Sequence, residues 1–119
     1  MTMSNKPYYI STAIAYASAI PHIGNVYEAI LADAIARFKR LDGYDVYFQT
    51  GTDEHGMKIE QKASEKSIPT QTYVDQISAE IKRIYDDVNV QDDAYVRTTE
   101  PFHKESVQNI FKKLYDKGD

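Results

Sequence analysis

Two stretches decide the fold: PYYISTAIAYA (residues 7–17) and VYEAILADAIARFKRLDGYDVYFQT (residues 26–50). The first is rich in Tyr, Ile and Thr, opens on Pro7 and closes on small residues, which predicts a buried strand over Tyr8 to Thr12 running into a loop. In the second, Val26, Ile30, Ala34, Phe38 and Leu41 recur at helical spacing, while Glu28, Asp33, Arg37, Lys39 and Arg40 fall mostly elsewhere and Gly43 stops the pattern. Lys39 and Arg40 occupy the last turn, where positive charge suits the negative end of the helix dipole. After a tight Gly43-Tyr44 turn, Asp45 to Thr50 alternates and fills with the β-formers Val46, Tyr47 and Phe48. Strand, helix, strand is a βαβ unit, so the expectation is an open α/β sheet of parallel strands with its binding crevice at their carboxyl ends.

Further along, the pattern is helical from Gly56 to about Lys66 and pauses at Ser67 to Thr70. It resumes with Tyr73, Ile77, Ile81, Ile84 and Val88 on one face, with Thr70 as the expected N-cap. A short strand at Ala94 to Arg97 and a helix from Pro101 to Lys117, with Val107, Ile110, Phe111 and Leu114 facing inward, complete the reading. The 119 residues have room for one domain or part of one, and the end at Asp119, straight after a helix, resembles a cut. No apolar run nears the roughly 20 residues that span a bilayer, and the polar opening Met1 to Lys6 lacks the order of a secretion signal, so a cytoplasmic protein is expected. The absence of cysteine removes disulfides and thiolate chemistry. A formal charge of -4 argues against a dedicated nucleic-acid-binding module, which needs clustered Lys and Arg.

Two motifs fall at the expected carboxyl ends. Pro21-His22-Ile23-Gly24-Asn25 lies between the first strand and the first helix, where free N–H groups and the positive dipole end attract phosphate. His22 can donate to a phosphoryl oxygen, Gly24 leaves room for a flat base and Asn25 adds a neutral donor. Taken alone, His22-Ile23-Gly24-Asn25 fits better with a plain cap, in which His22 and Asn25 cap the helix and Gly24 is a turn residue. The second motif is Gly51-Thr52-Asp53-Glu54-His55-Gly56, at the end of the second strand. Asp53 there can pair with an ammonium group and His55 can exchange a proton or orient a sugar hydroxyl, while Asp53 or Glu54 could instead cap the following helix. No second cluster of His or carboxylates stands at ligand spacing, so no metal site is expected. His103 reads as a solvated residue on an exposed turn.

Together the motifs carry a resemblance. His22-Ile23-Gly24-Asn25 resembles the His-Ile-Gly-His signature of class I aminoacyl-tRNA synthetases, and Gly51 to Gly56 is similar to the segment that methionyl-tRNA synthetases carry at their second strand. Ala32-Asp33, Ala36 to Arg40 and Gly43 to Val46 match that family too, so the likeness covers nearly the whole chain from Pro7. It implies a Rossmann-like nucleotide-binding fold with a parallel sheet, of which this chain holds the first half only, as the amino-terminal part of a catalytic domain. It further implies ATP, with Mg2+, and methionine as substrates, attack of the methionine carboxylate on the α-phosphate, and transfer to tRNA(Met) by the full-length enzyme. By this resemblance His22 and Asn25 are catalytic and, with Gly24 under the adenine, bind ATP. Asp53 holds the methionine ammonium group, Ala13, Ile14 and Tyr16 line the amino-acid pocket, and Tyr16 closes over the thioether.

Two departures from the family pattern bear on this. Asn25 stands in place of the second His, keeping a donor that can never be cationic, and Ala15 stands where Pro is common, leaving the loop before Tyr16 less restrained. The family's Lys-Met-Ser-Lys-Ser loop, zinc knuckle and anticodon-binding domain do not occur in the chain, so by itself it is expected to show little or no adenylation. The competing readings are a synthetase for another amino acid, a small nucleotidyltransferase with a His-x-Gly-His-like motif, and a non-catalytic fragment that associates through an open sheet edge.

Overall fold

The computed structural model describes residues 6–119, so all but the last residue of the polar opening lies outside it. Strand β1 (Pro7–Ser11), strand β2 (Ala15–Tyr16), helix α1 (Ile23–Leu41), strand β3 (Asp45–Asp53), helix α2 (Met57–Glu65), helix α3 (Thr70–Asp87), strand β4 (Ala94–Arg97) and helix α4 (Pro101–Lys117) follow in order. The strands meet in one parallel sheet around β3, with Tyr8 opposite Val46, Ala15 opposite Thr52 and Thr50 opposite Tyr95. The carbonyls of Gln49 and Asp53 accept from the amides of Thr12 and Ala17, whereas those of Phe48 and Thr52 accept from Asp93 and Thr98. Alternate residues of a parallel strand bond to opposite sides, so β1 and β2 form one interrupted strand along one flank of β3, and β4 lies along the other.

β3 is longer than its sequence predicts, running through Gly51 and Thr52 to Asp53. Gly51 is why β-propensity stops short there, and it is also why the strands can meet: a Cβ at this position would lie on the Val96 carbonyl. The even positions Phe48, Thr50 and Thr52 are buried, while Asp45 and Tyr47 are exposed. Period-two alternation thus aims one face of β3 at the helices and the other, with Tyr47 stacked on Tyr9, away from them. The core gathers Phe48, Ile59, Val74, Ile81 and Tyr85, each side chain contributing about 1.5–3 kcal/mol through burial.

The helices correct two faces read from sequence. On α1 the buried residues are Ala29, Ala32, Asp33 and Ala36, and the stripe containing Ile30, Ala34, Phe38 and Leu41 is exposed. Small side chains let this helix lie close to the sheet, and Asp33 is satisfied there by Arg37 and the Gln91 amide at 2.6 and 2.8 Å. On α4 no residue is buried, and Val107, Ile110, Phe111 and Leu114 remain 47–68% exposed because no other helix or strand among the described residues covers that face. Thr70 is the first residue of α3 rather than its cap, a position Pro69 takes with no side-chain bond.

Burial pushes the Tyr85 phenol up, and the Tyr95 phenol for the same reason. Their stabilisation is complete below the unfolded phenol's pKa of about 10 and is lost as pH rises through the higher folded values. In a 295 nm titration these phenols should ionise only in the same alkaline step that abolishes the circular dichroism signal. A single smooth step near pH 10, with the fold intact, would contradict that burial.

Candidate active site

The interrupted strand builds the first wall. Ser11 still pairs with Gln49, and Thr12 remains tied by its amide and by its hydroxyl to the Thr50 hydroxyl at 2.7 Å. The chain then leaves the sheet: the Ala13 amide donates to Glu28 of α1 at 2.9 Å, Ile14 is exposed, and Ala15 re-enters opposite Thr52. Tyr16 therefore stands beside Asp53, on the face of the sheet away from the helices, with the Ala17 amide bonded to the Asp53 carbonyl at 2.8 Å. Its hydroxyl lies over Gly56, where a Cβ would come within 2.6 Å of it, so the loop after β2 and the loop after β3 touch.

The second wall is the start of α1. His22 is the N-cap, and its Nδ1 accepts the Gly24 amide at 3.0 Å. The capping interpretation is thus realised for His22, and it fixes the ring: with Nδ1 accepting, the neutral imidazole carries its hydrogen on Nε2, as a donor. No acidic side chain lies in the first turn of α1, so the positive end of the helix meets no local carboxylate. A cleft of about 210 Å³ opens between Tyr16, Ser18, Pro21, His22 and Asn25. Tyr16 lines this cleft and is also the cross-strand neighbour of Asp53, which places both motifs at one rim.

Gly24 shapes the turn directly, since a Cβ there would stand 2.8 Å from Cε1 of His22 and 3.0 Å from Nδ1. Gly24→Ala should rotate the ring off its cap and cost ~1 kcal/mol, the usual worth of a helix cap. Thermal unfolding checks this, and an unchanged melting temperature would mean that the ring bond carries no stability.

The acidic motif divides its work. Asp53 is half-buried at the strand end, whereas Glu54 is 2% exposed and turns into the protein. Its carboxylate accepts from Arg97 Nε at 2.9 and 3.1 Å and from the Thr99 hydroxyl at 2.6 Å. Arg97 also donates to Asp75 of α3 at 2.6 Å, and that bond, with a second from Gln71, holds the Asp75 carboxyl below its ordinary range. Neither Asp53 nor Glu54 caps α2, whose N-cap is Gly56. His55 Nε2 donates to the Thr98 carbonyl at 3.1 Å. His103 is half-buried rather than solvated, sharing a small hollow with His55 and Thr98. Sequence reasoning missed Glu28, Arg97 and Thr99 as supports of the rim; an arginine inside the short strand at 94–97 was the available signal for a buried acid partner.

Among the described residues no three His, Cys, Asp or Glu side chains converge as metal ligands do. The same residues include no helix long and apolar enough to cross a membrane.

A parallel α/β sheet of Rossmann-like layout thus joins, at its carboxyl rim, an anion-attracting helix start capped by His22 to an acidic strand end at Asp53. The family model described as tRNA synthetases class I (M) matches residues 8–119. The methionine–tRNA ligase of Clostridium perfringens is 56% identical over 117 residues, covering 98% of this chain and 18% of that protein. Methionine–tRNA ligase 1 of Bacillus cereus is 50% identical over 119 residues, covering all of this chain and 18% of the relative. The structure of Mycobacterium tuberculosis methionyl-tRNA synthetase in complex with methionyl-adenylate superposes with a TM-score of 0.93 at 46% identity, over 96% of this chain and 22% of that one. The chain belongs to the methionine family of class I tRNA synthetases. It spans about a fifth of the length of these relatives.

Proposed function

We propose that this chain is the amino-terminal part of a catalytic domain that activates methionine with ATP and passes the methionyl group to tRNA(Met). The observation that carries the reading is the juxtaposition of Asp53 with Tyr16, and of Tyr16 with His22 and Asn25, along one strand rim. The methionine carboxylate attacks the α-phosphorus of ATP, a bond forms to that phosphorus, and pyrophosphate leaves with the electrons of the broken bond. The protein's share is positioning and charge stabilisation.

Asp53 takes the methionine ammonium group through a charge-assisted hydrogen bond. Ala13 and Ile14, at the point where the edge strand leaves the sheet, line the amino-acid pocket, and Tyr16 closes it over the thioether. His22 donates from Nε2 to a phosphoryl oxygen, Asn25 adds a neutral amide donor, and Gly24 leaves space for the adenine. ATP enters as its magnesium complex, a substrate, and a cytoplasmic location accords with charging tRNA.

A chimera tests the assignment: residues 1–119 replace the matching segment of the Clostridium perfringens ligase, and methionine-dependent exchange of pyrophosphate into ATP is measured. Exchange within about tenfold of the parent is expected. A folded chimera that exchanges with another amino acid, or not at all, would reject the assignment.

A further inference from the structure

We infer that Arg97, together with Thr99, is a positioning residue for the amino-acid subsite, acting through buried Glu54 on the adjoining Asp53. The inference rests on the proposed function. Asp53 is followed by no regular structure until Met57, so its direction depends on what grips residues 54–56. Tyr16 touches Gly56, and the hydrogen bonds that hold Glu54 and His55 come from β4 and the turn after it. The Glu54 amide donates to the Thr98 hydroxyl at 2.8 Å, its carboxylate takes both contacts from Arg97 Nε and one from Thr99, and His55 bonds the Thr98 carbonyl. Arg97 is itself steadied from α3 by Asp75.

Alternation turns this grip into aim. Thr52 lies on the helix side, its hydroxyl 3.2 Å from that of Ser78, and Asp53 projects to the opposite face beside Tyr16. Drawing Glu54 inward and holding its carboxylate through several donors fixes the backbone direction from which the Asp53 side chain projects. Arg97 also neutralises the buried Glu54 charge, so Asp53 is the uncompensated carboxylate of the motif, beside Tyr16 at the strand end. A planar guanidinium suits this clamp better than an ammonium group, which is a point charge on a flexible stem.

The test uses the full-length synthetase carrying residues 1–119, with enzyme concentration fixed by active-site titration. Arg97→Lys keeps the charge and loosens the clamp; Thr99→Val keeps the shape and removes one hydroxyl. KM for methionine should rise about tenfold in the first and a few-fold in the second, with KM for ATP within twofold and kcat little changed. An unaltered KM for methionine, or both KM values rising together, would overturn the inference. If Arg97→Lys does not fold, Thr99→Val decides alone. Asp53→Ala is the control: should it leave KM for methionine unchanged, the assignment of the amino-acid subsite fails rather than the role of Arg97.

Discussion

Replacing Gly51 with alanine is expected to destabilise the protein by ~3 kcal/mol or more, at the upper end of what overpacking usually costs. The reason is local and steric. Gly51 faces Val96 across the β3 and β4 pair, and a Cβ built on it would overlap the Val96 carbonyl and crowd the Val96 amide nitrogen at 3.0 Å. These are backbone atoms, so no rotamer change relieves the contact and β4 must retreat. Retreat would carry Arg97 away from Glu54 and leave a buried carboxylate without its cation, which adds to the cost. Thermal unfolding should show the melting temperature falling by at least about 10 °C. A variant as stable as the parent would mean that the strands do not approach as closely as described.

Asp53→Ala carries the largest expected effect on activity. On the proposed function, a charged hydrogen bond to the bound ammonium group is worth roughly 1.5–3 kcal/mol, so in the full-length enzyme kcat/KM for methionine should drop by about 10- to 10²-fold while KM for ATP changes little. Stability should hardly move, because Asp53 is only half-buried and the structural duties of the motif fall to Glu54. The separation is diagnostic. Equal losses against methionine and ATP, or a fall in stability matching the fall in activity, would assign Asp53 a structural role instead.

Local physics made part of this legible in the sequence. The βαβ unit followed from β-formers in Tyr8 to Thr12 and Asp45 to Thr50, helical periodicity between them, and Gly43, whose φ of +84° closes the turn. Placing both motifs at one rim followed from parallel strands alone. What escaped was long-range. Nothing near Ala15 or Tyr16 announces that the edge strand re-forms after a break, since the cause is pairing with Thr52 and Asp53 nearly forty positions away. The buried face of α1 was misread because its contact with the sheet favours Ala29, Ala32 and Ala36 over larger apolar side chains. α4 was given an inward face on periodicity, and periodicity does not supply the partner that burial needs. The positions of His22 and Gly24 at the start of α1 and of Asp53 at the end of β3 were legible, whereas the division between a half-exposed Asp53 and a buried Glu54 depended on Arg97 and Thr99 from another strand and turn.

The most direct check is a structure of the full-length synthetase carrying this segment, bound to a non-hydrolysable analogue of methionyl-adenylate. The ammonium nitrogen should lie about 3 Å from an Asp53 carboxylate oxygen, with the thioether under Tyr16 and the phosphate surrogate within hydrogen-bonding reach of His22 Nε2. An analogue seated elsewhere, or one reversed so that its adenosine meets Asp53, would contradict the account.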